Sequence, residues 1–341
     1  MKAILRNIAL LGLMSLLLIS CDSTVHEYPK PCEVTLVVEM AADLSEPEYY
    51  CDVECDVRTG SNVVVRHRSN IDTRFNEDVL LRFTCDLYRV DGAISTFVER
   101  RLCFATTDTP TPQAVTAFNV VPDQYKVLVW CDYVRAADKE SWYYNNDDLR
   151  AIVYSDITPV DNNDKDVYSG MLAVDLMKYE YEDGYYTERV TVDMSRPLGR
   201  FKVISFDRED FLKAGGVVED ITAKITYKQY VSAGYNVETQ GPNKFDPTRT
   251  FTSEASLTDD GEILLAYDYI FVNGKESNVL ADFYFYNADG VEISHWLNIK
   301  IPLKRNHETI VRGAFLTTSF GTGGIGIDDS FDGREIIIEI P

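Results

Sequence analysis

The chain has 341 residues, a formal net charge of −22, and is 45% hydrophobic and 12% aromatic. That excess of carboxylates argues against nucleic acid and anionic headgroups as partners, because a like-charged field repels them. The length suits about two ordinary domains, and the 21 Tyr and 16 Phe favour strands over helices.

The first predicted element is a leader. Lys2 and Arg6 precede an apolar run from Ile8 to Ile19, too short to span a bilayer in a mature protein. It ends in Leu18-Ile19-Ser20-Cys21, which resembles a bacterial lipoprotein signal. The resemblance implies that residues 1–20 are removed and that Cys21 becomes the first mature residue, acylated on sulfur and amino group. Several acyl chains anchor stably where one would be marginal. Residues 21–31, polar and with two prolines, read as a tether.

The mature chain then alternates between strand patterns and turns. Glu33–Met40 is a predicted strand, Asp43–Asp52 an acidic region, and Val63–His67 a short β-branched strand. In Val79–Val90, Leu81, Phe83, Cys85 and Leu87 share one face, opposite Arg82, Thr84 and Asp86. Asp91-Gly92 turns this strand into Ala93–Phe104, the dipeptide of a tight hairpin. Tyr125–Val134 is strongly apolar and predicted to be central to a sheet. Asn145–Asp148, Asp161–Asp166 and Tyr179–Tyr186 read as acidic, solvated loops, with strand-like Ala151–Tyr154 between the first two.

A boundary is predicted at Ser195-Arg196-Pro197-Leu198, giving an N-terminal domain over 32–195 and a C-terminal domain over 196–341. Val190–Met194 ends one strand set and Gly199–Phe206 opens the next. Asp207 is placed to cap a short helix, Arg208–Ala214, stopped by Gly215-Gly216. Ile221–Tyr227, Ile263–Tyr269, Val279–Tyr286, Val291–Ile301, Thr309–Thr317 and Ile336–Ile340 are further predicted strands. In Val291–Ile301 the alternation puts Val291, Ile293, His295, Leu297 and Ile299 on an apolar face, with His295 as a packed or rim histidine. Short strands and turns throughout indicate an all-β chain built of β-sandwiches.

Six cysteines remain after Cys21: Cys32, Cys51, Cys55, Cys85, Cys103 and Cys131. In an oxidising compartment one or two disulfides are expected, although Cys85 and Cys131 lie where a cysteine serves as a small apolar residue. Cys51 and Cys55 have no second close pair and no nearby His, so no zinc site is assigned. For the clustered acids and Asn oxygens a calcium site is the alternative to solvated loops, but their spacing matches no EF-hand loop and none is assigned. Gly321-Thr322-Gly323-Gly324-Ile325-Gly326 fits the dinucleotide fingerprint in letters alone. It lacks the following βαβ unit, and Asp328, Asp329 and Asp332 would repel phosphate, so no nucleotide is expected. The histidines His26, His67, His295 and His307 stand beside no nucleophile motif. No catalytic residue, metal or cofactor is assigned.

Three motifs add a family resemblance. Arg196-Pro197-Leu198-Gly199-Arg200-Phe201 resembles the opening of the second domain in Bacteroidia fimbrial anchor and fimbrillin-like lipoproteins. Pro302-Leu303-Lys304-Arg305-Asn306-His307-Glu308-Thr309, followed by Ile310–Thr317, is similar to their late P-x-x-R-N-x-x-T turn and strand. Val129-Trp130-Cys131-Asp132-Tyr133 is similar to the W-x-D-Y strand of the anchor branch. The resemblance implies a type V pilus component: two transthyretin-like β-sandwiches in tandem, exported to the outer-membrane surface, with fimbrial subunits as partners. It further implies that pilins lose an N-terminal strand after an arginine, opening a groove for a neighbour's strand. Anchor subunits keep that strand and their lipid, and so limit fibre length. The candidate arginines are Arg58, Arg66 and Arg68. Ile336, Ile337, Ile338 and Ile340 form the candidate strand-exchange segment, since an open sheet edge accepts an added strand. The alternative is a surface glycan-binding lipoprotein for nutrient uptake, with Trp142, beside Tyr143 and Tyr144, as the sugar platform.

Overall fold

The structure, a computed structural model, describes residues 32–65, 78–140, 142–155 and 163–318. Before the Ser195 boundary lie β1 (Glu33–Ala41), β2 (Glu48–Asp56), β3 (Gly60–Val64), β4 (Val79–Asp91), β5 (Ile94–Ala105) and β6 (Gln113–Val120). They are followed by β7 (Gln124–Arg135), β8 (Tyr144–Asn145), β9 (Ile152–Tyr154), β10 (Val167–Asp175) and β11 (Tyr185–Val192). After it come β12 (Leu198–Ser205), the helix α1 (Arg208–Lys213), β13 (Thr222–Asn236), β14 (Gly241–Glu254) and β15 (Ser256–Leu257). The last are β16 (Ile263–Phe271), β17 (Glu276–Tyr286), β18 (Glu292–Lys304) and β19 (His307–Gly313). The chain is all-β in class.

Two sandwiches form because each sheet has an apolar face to bury. In the first, the sheet β11-β1-β6 covers the sheet β10-β7-β4-β5. Val34, Leu36 and Val38 of β1 meet Leu81, Phe83 and Leu87 of β4 and Val127 and Val129 of β7, all without solvent exposure. In the second, β15-β16-β12-β19-β2-β3 packs on β18-β17-β13-β9-β8, with β14 also paired to β13. Phe201, Ile225, Phe283, Trp296 and Val311 fill that core. Segments on both sides of the boundary supply the second sandwich: β2 runs parallel to β19, and β9 pairs with β13.

A third apolar cluster joins the sandwiches. The outer face of β7, with Leu128 and Trp130, meets Tyr144, Leu149, Tyr235, Tyr269 and Phe271. Trp130 lies edge-on to Tyr144 at 5.4 Å, and Tyr235 stacks on Phe271 at 5.2 Å. This join buries Arg82, Thr84 and Asp86, which alternation alone places on a solvent face. Arg82 holds Asp132 at 2.6 Å and Arg100 holds Asp86 at 2.6 Å. Burial pushes the pKa of both carboxyls above the ordinary value, against the pull of those arginines.

Several expectations change. The acidic region after Asp43 contains a strand, β2, whose Cys51, Val53 and Cys55 face the core. The expected disulfides are not formed: all six described cysteines are free thiols. Cys103 pairs across from Phe83 while Cys85 pairs across from Arg101, so these two cysteines of neighbouring strands are out of register. Burial instead pushes Cys51 up to about 11 and Cys55 to about 12. The apolar face read for Val291–Ile301 breaks at a bulge. Asn298 has φ 60°, and the ladder shifts between Ala281 and Phe283 of β17. Ser294 and Trp296 point inward before the bulge and Ile299 and Ile301 after it, leaving His295 outside beside Glu292 at 2.6 Å. The strand read over Thr309–Thr317 ends at Gly313.

Asp207 occupies the N-cap position of α1 without capping it through its side chain. Its Oδ2 accepts instead from the amides of Leu316 (3.0 Å) and Thr317 (2.7 Å) and from the Thr317 hydroxyl (2.7 Å). That carboxylate fixes the turn after β19.

Candidate functional site: the seat of the N-terminal strand

β1 lies at the centre of its sheet. It is paired parallel to β11 from Glu33↔Tyr185 to Met40↔Val192 and antiparallel to β6 from Val34↔Val120 to Ala41↔Gln113. The sequence dictates this seat. Val34, Leu36, Val38 and Met40 alternate inward and are at most 2% exposed, while Thr35 and Glu39 face out to Asn119 (3.0 Å) and Arg189 (3.1 Å). The Glu33 amide donates to Gly184 O at 3.0 Å, and the Ala42 and Leu44 amides donate to Pro112 O and Pro110 O. Taking β1 away would unpair two facing strand edges and open an apolar groove between them.

Two of the motifs that carry the family resemblance, those of Arg196 and Asn306, converge where β1 leaves its sheet. Arg196 is buried; its Nε donates to both oxygens of Asp166 (2.7 and 2.9 Å) and its Nη2 to Tyr168 Oη (2.8 Å). The same Nη2 donates to Ser45 O at 2.9 Å, in the linker from β1 to β2, and Nη1 bonds Asn306. Burial works against the Arg196 charge, and Asp166 outweighs it, pushing the guanidinium pKa up. Arg200 pairs with Glu308 and Glu46, the latter again in the linker. Asn306 takes a positive φ of 58° in the β18–β19 turn, a position that asparagine tolerates. Arg305 donates to Gln240 O (2.5 Å), and the Thr309 hydroxyl to Pro302 O (2.6 Å). In chemical terms the motifs are a clamp: they hold the β1–β2 linker, the β13–β14 turn and the join between sandwiches.

Arg58, a candidate cleavage arginine, lies in the β2–β3 turn with its side chain 88% exposed and paired to Asp56. Arg66 and Arg68 lie outside the described residues, as do Cys21, the segment Ile336, Ile337, Ile338 and Ile340, and the glycines Gly321–Gly326. A cut after Arg58 would detach β1 and β2 together, taking one strand from each sandwich. A second edge was not singled out in the sequence. β5 ends its sheet, paired among the described residues only to β4, and exposes Ile94 (68%), Phe97 (50%) and Leu102 (52%). Its signal was apolar residues on both faces of one strand.

Trp142 is half-buried and stacked on Tyr143 at 4.9 Å, while Tyr143 and Tyr144 are at most 1% exposed. The three rings are packing residues of the join and present no open platform. Among the described residues no group of three His, Cys, Asp or Glu side chains is placed to hold a metal, and no helix is long and apolar enough to cross a membrane.

No curated protein matches the sequence. Among solved structures, the chain is similar to a Bacteroides ovatus protein proposed to be an adhesin, at 14% identity and TM-score 0.43, covering 86% of this chain and 90% of that one. It is similar to the fimbrial anchor protein Mfa2 from Porphyromonas gingivalis, at 10% identity and TM-score 0.40, covering 77% and 82%. The tip fimbrial protein Mfa3 from the same organism is 10% identical, with TM-score 0.36 and coverage of 79% and 81%. A family model described as a family of unknown function, DUF6562, matches residues 38–340, and the chain belongs to that family.

Proposed function

We propose that this protein is a non-enzymatic, lipid-anchored fimbrial anchor or minor subunit of the outer-membrane surface, which attaches a type V pilus and limits its length. The observation that carries the reading is the seat of β1, bonded along both edges and clamped at its exit by Arg196. A strand held in that way fills its own groove, so the subunit offers no vacancy for a neighbour's strand at that end. Growth stops there. Residues 21–31 serve as the tether between the acylated Cys21 and β1, ahead of the two sandwiches. Contacts with fimbrial subunits run through sheet edges, to which the exposed strand β5 and the segment Ile336–Ile340 are assigned.

The test is fractionation. Cys21→Ala should move the protein from the membrane to the soluble fraction and release fimbriae from the cells, without unfolding the sandwiches. Deleting residues 336–341 should leave a membrane-bound protein that no longer co-purifies with fimbriae. A Cys21→Ala protein that stays in the membrane, with no acyl label on the wild type, would overturn the reading.

A further inference from the structure

One buried pair plays no part in holding the N-terminal strand. Lys165 ends a 3-10 turn, Asn163–Lys165, just ahead of β10, and Asp268 lies in the middle of β16. The Lys165 Nζ stands 2.5 Å from Asp268 Oδ1, with side-chain exposures of 2% and 4%. The pair has aromatic surroundings. The Tyr154 ring centre is 4.7 Å from Nζ, and the Tyr144 hydroxyl donates to the Lys165 carbonyl. Both Asp268 oxygens are engaged: Oδ1 accepts the Tyr269 amide at 2.8 Å and Oδ2 accepts the Tyr227 hydroxyl at 2.8 Å.

Two opposite charges taken out of water lose their hydration, and joining the two groups as a neutral amide removes that penalty. Burial lowers the Lys165 pKa, which favours the neutral amine. A neutral amine is a nucleophile. From this geometry we infer that Lys165 and Asp268 condense into an intramolecular isopeptide bond that fastens the first sandwich to the second. The Nζ lone pair forms the bond to Asp268 Cγ. The Tyr269 amide stabilises the negative charge that develops on Oδ1, as an oxyanion hole does. The Cγ–Oδ2 bond then breaks, and Oδ2 leaves as water. It carries both protons that the ammonium gives up, and the Tyr227 hydroxyl bonded to Oδ2 assists its departure. No oxidant, reductant or cofactor enters the balance: an ammonium and a carboxylate become an amide and one water. The product would carry tension across the join without depending on hydrogen bonds, which suits a chain tethered at one end.

The test is a tryptic peptide map of the full chain isolated from cells. Trypsin does not cut after an acylated lysine. The expected product is therefore a branched peptide in which residues 151–178, uncut at Lys165, are joined to residues 250–275 with the loss of one water. Fragment ions should place the branch at Lys165 and Asp268. Lys165→Arg keeps the charge and removes the nucleophile, so its map should show cleavage after residue 165 and peptide 250–275 at unmodified mass. Complete cleavage after Lys165 in the wild type, with 250–275 unmodified, would overturn the inference. So would a water loss on 250–275 that persists in Lys165→Arg, since that would mark a cyclised aspartate.

Discussion

Leu36→Asp is expected to destabilise the first sandwich by more than about 4 kcal/mol, enough to unfold it in a domain of ordinary stability. Leu36 is fully buried at the centre of β1, between the ladders to β11 and β6. The substitution removes a side chain whose loss alone is worth about 2–5 kcal/mol and puts a carboxylate into a core cluster of buried apolar side chains. Glu39→Ala on the outward face of the same strand breaks only an exposed pair with Arg189, and should change stability by less than about 1 kcal/mol. Denaturant titration gives the stabilities, and amide exchange of peptides from β6 and β11 locates the change. Equal, small effects from both variants would mean that β1 contributes little to the sandwich.

Arg196→Met should cost about 3–5 kcal/mol, because it leaves Asp166 buried without its cation. It also frees the Ser45 carbonyl, so amides of the β1–β2 linker should exchange faster than in the wild type. Pairing it with Asp166→Leu removes the stranded charge and should recover part of the stability, since an ion pair exchanged for apolar groups is often neutral. The linker should stay fast in the double variant, because its bond to Ser45 is still missing. A single variant within about 1 kcal/mol of the wild type would show that the clamp is decorative.

Much of the first sandwich was legible because its strands alternate plainly and its turns announce themselves. β4 and β5 were read nearly to the residue, with Gly92 at φ 59° making the turn between them. β1, β7, β12 and β16 followed from the same period-two pattern. The failures have separate physical causes. β2 was hidden by its acids, one of which, Asp52, is fully buried and accepts from the Tyr49 hydroxyl. β14 carries Pro242 and Pro247 and is mostly exposed, so neither alternation nor composition marked it. In β18 the alternation was real in the letters, but the bulge at Asn298 reversed which letters face inward.

The candidate site was legible in a different way. Arg196, Asn306 and Thr309 stood out as motif residues, but nothing in their spacing tells that Arg196 and Asn306 touch each other and that Arg196 reaches Ser45. Such contacts join segments about one hundred residues apart or more, and pattern within a segment carries no information on them. The join between sandwiches was invisible for the same reason. Trp130 and Tyr144 lie before the boundary and Tyr235 and Phe271 far beyond it, and each stretch reads locally as an ordinary strand or loop.

An anchor keeps its N-terminal strand in place at the cell surface, and the chemical identity of the mature N-terminus decides whether this protein does. Protein released from the outer-membrane fraction should yield an acylated N-terminal peptide beginning at Cys21 and an intact peptide spanning Glu33–Ala41, in the amount of the rest of the chain. Recovery mainly of chains that begin just after Arg58, Arg66 or Arg68 would contradict it, for such a subunit would have given up β1 and opened its groove to a neighbour.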